Sequence, residues 1–272
     1  MNTKAATVIL VLALLLIGAF WQPHNPDAID LGHRHAALSW SHPLGTDNLG
    51  RDVLSRIMVG GWRSIVVLLI VGAIGLIGGC SIGVGAAMMS GWQQAILLRA
   101  AEVSIIMPTL VVALTVTALF GMTPVVAGLA LGFAGIGPQT LLAHSLAQRV
   151  LAQPYVLSAR ALGVTGSRLV VRHVLPNIAP VLLTHVGSNA GRTIVAYASL
   201  AFLGLGADPS RPDWGAMLFE YRGFLFDDPA LMIWPGLPIA VVALVLNRVF
   251  DPGEEQALDE RSSIGWDRAR LL

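Results

Sequence analysis

Long apolar runs alternate with polar stretches along the chain, and each run approaches the ~20 residues that a helix needs to cross a bilayer. The first runs from Ala5 to Trp21, behind Lys4. It ends in Trp-Gln-Pro with no small-x-small cleavage site, so it reads as a membrane span rather than a signal peptide. Further spans are expected at Ser64–Ser90, Ala95–Phe120, Thr123 to about Leu146, Val181–Leu203 and Leu231–Val249. Pro108 predicts a kink in the third, and Gly135, Gly137 and Pro138 interrupt the fourth. Gly75, Gly79 and Gly83 recur every four residues in the second, a spacing that lets two helix backbones approach closely.

Three polar stretches separate the runs. Residues Gln22 to Arg63 contain His42-Pro-Leu-Gly-Thr-Asp-Asn-Leu-Gly-Arg-Asp-Val-Leu-Ser-Arg56. Asp47 or Asn48 is placed to cap a helix with apolar positions Leu49, Val53, Leu54 and Ile57, expected to lie along the membrane surface. Asp208 to Asp228 holds Pro212-Asp-Trp-Gly215. The third stretch, Pro154 to Pro180, is basic and polar-punctuated. Pro154 suits a first helical turn, and Gly163 suits a left-handed C-terminus. Thr165 or Ser167 can cap a second short helix, which Pro176 is expected to stop.

Composition agrees with the pattern. Apolar residues make up 55% of the chain and charged residues 12%, with mean hydropathy +0.71. A soluble domain carries about twice that charge. The fold class is an all-α polytopic membrane protein with six transmembrane helices. Residues 1–63 form the first span and an external loop, 64–250 a five-span core with an inserted loop at about 150–178, and 251–272 a tail. Six spans put both termini and the Pro154–Pro180 segment on one side. Lys and Arg are more numerous there, so that side is read as the cytoplasm. Cys80 is the single cysteine and reads as packing.

Candidate chemistry is sparse. His24, His33, His35 and His42 share one loop, but no Cys or helically spaced His pair accompanies them, and no metal site is assigned. Arg99 and Glu102, three apart on one helix face, read as a structural pair. Arg192 lies deep in an apolar run and points to a translocation path or subunit interface, or to a local hydrogen bond. The chain lacks a phosphate-cradling Gly-x-x-x-x-Gly-Lys-Ser/Thr, a Gly-x-Ser-x-Gly, a metalloprotease His pair and a Cys-x-x-Cys. It carries no catalytic residues and no cofactor motif, so uphill transport would need a partner or an ion gradient. A stand-alone secondary carrier or channel is the alternative, but such a carrier usually needs intramembrane acids and only Glu102 qualifies.

Three readings compete for Pro154–Pro180. A DNA-reading helix-turn-helix needs a soluble third helix, which two flanking spans deny it, so nucleic acid is not expected. An ordinary basic loop is the second. The third is a short helix presenting Tyr155, Leu157, Ala159 and Leu162 to a groove on a partner. The segment resembles the coupling-helix loop of bacterial ABC importer permeases, whose pattern is Glu-Ala-Ala, three residues, Gly, nine residues, Ile-x-Leu-Pro. Leu157-Ser158-Ala159 stand at its first positions, Gly163 follows at the right distance, and His173-Val-Leu-Pro176 closes it. The His42–Arg56 stretch, Leu200–Gly206, Trp214-Gly-Ala-Met and Trp234-Pro-Gly are similar to the dipeptide/oligopeptide/nickel group, "C" type. The chain departs from that pattern at Tyr197, where the family has Glu, at Ala201, and after Asn247.

The resemblance implies a type I ABC importer permease fold for short peptides, nickel or metal chelates in a bacterial inner membrane. It implies a second permease subunit in a heterodimer, two cytoplasmic ATP-binding subunits and an extracytoplasmic substrate-binding protein. Tyr155, Ser158, Ala159, Arg160, Ala161, Leu162 and Gly163 would then couple to the ATPases. Arg192 and Tyr197 remain candidates for the path or the subunit interface.

Overall fold

The computed structural model describes residues 13, 15–18, 20–204 and 211–250. These form helices α1 (Val53–Met88), α2 (Trp92–Ile106), α3 (Thr109–Phe120), α4 (Pro124–Ala134), α5 (Ile136–Leu151), α6 (Pro154–Ala161), α7 (Gly166–Phe202), α8 (Trp214–Tyr221) and α9 (Ala230–Val249). Among the described residues there is no strand, only one bridge, Thr46 with Asp52. Most of the first apolar run and all of the tail from Asp251 lie outside the described residues. The described part of that run is helical, and Leu15 packs against Gly61 of α1.

Three helices, α1, α7 and α9, are each long and apolar enough to cross a membrane. α2 and α3 pass the same test together but bend by 85° at Met107-Pro108. A residue before proline is driven to extended backbone, and Met107 sits at φ −71°, ψ 127°. α4 and α5 bend by 47° at Gly135. Counting each bent pair once gives up to five candidate spans.

Three local expectations are corrected. Asp47 and Asn48 cap nothing; Asp52 caps α1, its carboxylate accepting from Ser55 N at 2.8 Å. No separate surface helix exists either, because α1 starts at Val53 and runs unbroken for 36 residues. That is ~54 Å, longer than the ~30 Å hydrocarbon layer, so α1 overhangs it. Nor does Pro176 stop a helix. A π-helical turn at Val170–Val174 directly precedes it, and α7 continues through Pro180 to Phe202. The wider turn accommodates a residue that has no N–H to donate and whose ring crowds the preceding turn.

Close backbone approach holds the bundle together. A Cβ on Gly83 would stand 2.8 Å from Ala143 Cβ and 2.9 Å from His144 N, and one on Gly79 2.9 Å from Gln139 Cβ. The four-residue glycine spacing thus seats α1 on α5. The Arg99–Glu102 pair forms at 2.7 Å on the exposed face of α2.

Candidate functional site

Three features stand apart from ordinary packing: an exposed short helix at one end, a cavity among the spans that carries a patch of polar side chains, and a buried charge network at the other end.

The short helix is α6. Pro154 opens it, and a Schellman turn closes it, with Gly163 N donating to Arg160 O at 2.9 Å and Val164 N to Ala159 O at 3.0 Å. Gly163 has φ +86°, which an L side chain adopts only with strain. Val156 is fully buried and roots the helix in a cluster with Val84 of α1, Ala147 and Leu151 of α5, and Leu169 and Val174 of α7. On the outer side, Leu162 is 85% exposed and Tyr155 and Leu157 about half exposed. Ser158, Arg160, Ala161 and Gly163 are exposed and Ala159 partly so. The residues read from sequence are thus gathered on one surface. The anchor, Val156, was missed; its signal was an apolar residue flanked by two others that turned out to face solvent.

The cavity measures about 360 Å³ and lies between α1, α3, α4, α5 and α7. Arg192 lines it with His185, Asn189 and Thr193 of α7, Gln139 of α5 and Thr109 of α3. His185, Asn189 and Arg192 are spaced by four and three residues and so share one helix face. His185 Nδ1 and Gln139 Oε1 are 2.5 Å apart, while the buried Gln139 Nε2 has no protein partner. A buried donor without a partner marks a place where water or substrate completes the bonding. Sequence reading singled out Arg192 alone, although the polar residues one and two turns earlier carried the same periodic signal. Tyr197 lies elsewhere: it is 2% exposed, in a core with Val67, Ala127 and Leu200, beside Asp213 and Arg63.

At the Val53 end of α1, the segments 22–52 and 211–229 interlock. Asp47, fully buried, accepts from Arg51 Nε at 2.7 Å, from Tyr221 O–H at 3.1 Å, and from the Leu49 and Arg51 backbone. Glu220 of α8 pairs with Arg51 and, at 3.1 Å, with Arg56. Burial works against the Arg51 charge, but Asp47 and Glu220 outweigh it and raise its pKa. Trp214 drops onto Gly60 and Gly61 and donates to Ile57 O at 2.8 Å. Burial pushes the Asp213 carboxyl above its ordinary range against the opposing pull of Tyr197, Arg63 and the Gly215 and Ala216 N–H groups.

The arrangement offers an exposed short helix, a largely apolar chamber with a polar patch, and a braced rim, with no assembled nucleophile, base or nucleotide cradle among the described residues. Comparison with known proteins agrees. The family described as "Binding-protein-dependent transport system inner membrane component" matches residues 75–252. The chain is 33% identical over 264 residues to the Probable D,D-dipeptide transport system permease protein DdpC of Escherichia coli (strain K12), covering 96% of this chain and 87% of that one. It is 32% identical over 267 residues to the Glutathione transport system permease protein GsiD of Pectobacterium atrosepticum, with 96% and 87% covered.

Proposed function

The chain belongs to the family of binding-protein-dependent transport system inner membrane components and is a permease subunit of an ABC importer; from that premise we propose that it forms half of a translocation path for short peptides. It is not an enzyme, and ATP hydrolysis belongs to separate ATPase subunits. The proposed assembly is a heterodimer with a second permease, served by two cytoplasmic ATP-binding subunits and an extracytoplasmic substrate-binding protein. The proposed topology has six spans, counting the first apolar run, with both termini and α6 in the cytoplasm and the Asp47–Glu220 rim outside.

The observation that carries this reading is α6, a short helix rooted by Val156 between two spans and showing Tyr155, Leu157 and Leu162 to solvent. We assign it as the coupling helix. Residues Ser158 to Gly163, with Tyr155, seat in a groove on an ATPase. When ATP draws the ATPases together, force on α6 passes through Val156 to α1, α5 and α7 as one packed unit, because close-packed interiors transmit displacement rather than absorb it. The tilt of those helices opens the Arg192 cavity alternately to each side. Arg192 then offers a guanidinium to the carboxylate of a peptide, with Gln139 and Asn189 as hydrogen-bond partners. Tyr197 stays outside the path, in the core cluster that also holds the lining residue Leu131.

The reading is tested by Gly163→Pro and Ala159→Asp in the whole transporter. Pro cannot adopt φ +86°, and Asp places a charge on the docking face. Both should abolish uptake of labelled dipeptide while membrane insertion stays normal; unimpaired uptake would overturn the docking assignment. Labelled nickel is the competing arm: uptake of nickel and not dipeptide would reassign the substrate class.

A further inference from the structure

The four loop histidines are not equivalent once folded. His24 and His42, 18 positions apart in sequence, stack with ring centroids 4.6 Å apart. Both face Asp52, whose side chain is 1% exposed: His42 Nδ1 lies 2.9 Å from Oδ1 and His24 Nδ1 3.8 Å from Oδ2. One donor atom from each of the three falls within 4.8 Å of the others. We propose that His24, His42 and Asp52 bind a divalent first-row transition ion at the foot of α1.

The donor set is right for such an ion. Two imidazoles and one carboxylate suit zinc and its neighbours, at bonds of ~2.0–2.2 Å. Two ligands of one tetrahedral ion then stand ~3.4 Å apart, so donor atoms now within 4.8 Å of one another close the site with a shift of roughly 1.4 Å. His24 can make it, because its side chain is 42% exposed. Its backbone is already held, with N donating to Ser55 Oγ at 3.0 Å. The carboxylate is oriented from behind: Asp52 Oδ2 accepts from Ser55 N and, at 2.6 Å, from Ser55 Oγ. Such outer-shell bonds fix a ligating group in place. An ion on Oδ1 replaces the proton shared with His42 and leaves the cap of α1 made through Oδ2. Exposure of His24 leaves further coordination positions open to water, the form of an exchangeable site rather than a closed structural one. Occupancy would staple the chain just after the first apolar run, and the His42 loop, to α1.

Titration of the purified, tag-free transporter with zinc by calorimetry, and with cobalt by visible absorption, tests this. The wild type should bind an ion that His24→Ala and Asp52→Asn each weaken at least tenfold; Asn keeps an oxygen to cap α1. His33→Ala, in the same loop but outside the cluster, should match the wild type. Equal binding in His24→Ala, or an equal loss in His33→Ala, would overturn the site.

Discussion

Glu220→Ala probes the brace between the two rim segments. Glu220 pairs with Arg51 and Arg56, whose side chains are 4% and 1% exposed. Removing one partner of a buried pair costs about 3–5 kcal/mol, mostly because the opposite charge stays in a medium that solvates it poorly. Here the loss is smaller. Glu220 is itself 20% exposed, so water can enter, and Arg51 keeps Asp47 at 2.7 Å while Arg56 keeps Pro26 O at 3.3 Å. About 2–3 kcal/mol is the expected cost, which is roughly 30–150-fold in a local opening equilibrium. The reporter is hydrogen exchange of the 45–56 segment, whose Gly50, Arg51 and Val53 amides bond to Asp47 and Gly45. Those amides should exchange faster by that factor, while α4 and α5 should not change. Glu220→Leu combined with Arg56→Met should recover part of the protection, since an apolar pair avoids the stranded charge. Exchange within threefold of wild type in Glu220→Ala would refute the view that this network holds the rim closed.

Three further outcomes follow from particular contacts. Gly83→Val forces a side chain into Thr140 O and Ala143, and should cost about 1–3 kcal/mol or more of stability, seen as lower thermal resistance in detergent; Gly85→Ala, with open space around it, should be neutral. Arg192→Gln should lower dipeptide uptake about 10–100-fold at normal protein level, the worth of a charge-assisted bond, and Arg192→Lys should restore part of it. The raised Asp213 pKa gives a signed pH dependence: the folded state binds the proton more tightly than the unfolded chain, so this group's contribution is fully present below about pH 4 and is lost as pH rises through the folded value. Thermal melts of Asp213→Asn, which keeps the α8 cap, should therefore lack that falling component; an identical pH profile in both proteins would refute it.

Much of this protein was written in local sequence. Apolar runs located α1, α7 and α9; Pro108 marked the 85° bend and Gly135 the 47° one; Pro154 and Gly163 bounded α6. These signals are legible because hydropathy, proline geometry and glycine φ act within a few residues. The two failures in reading element ends came at Asp52 and Pro176. Several polar residues could have capped α1, and only the rim's packing selected Asp52 by committing Asp47 to Arg51 and Tyr221. A π-helical turn let α7 keep its proline.

What only the tertiary structure decided were the meetings of distant residues. Arg56 and Glu220 are 164 positions apart, His185 and Gln139 46. No periodicity within one element records such pairings, because each is fixed by how helices pack, not by the chain that carries it. The same packing enclosed Tyr197, opened a chamber beside Arg192, and drew His24 and His42 out of four loop histidines onto one buried carboxylate. Sequence determined the spans and the exposed helix between them. The fold determined which polar groups share a space, because only close packing removes water from between them and makes their pairing matter.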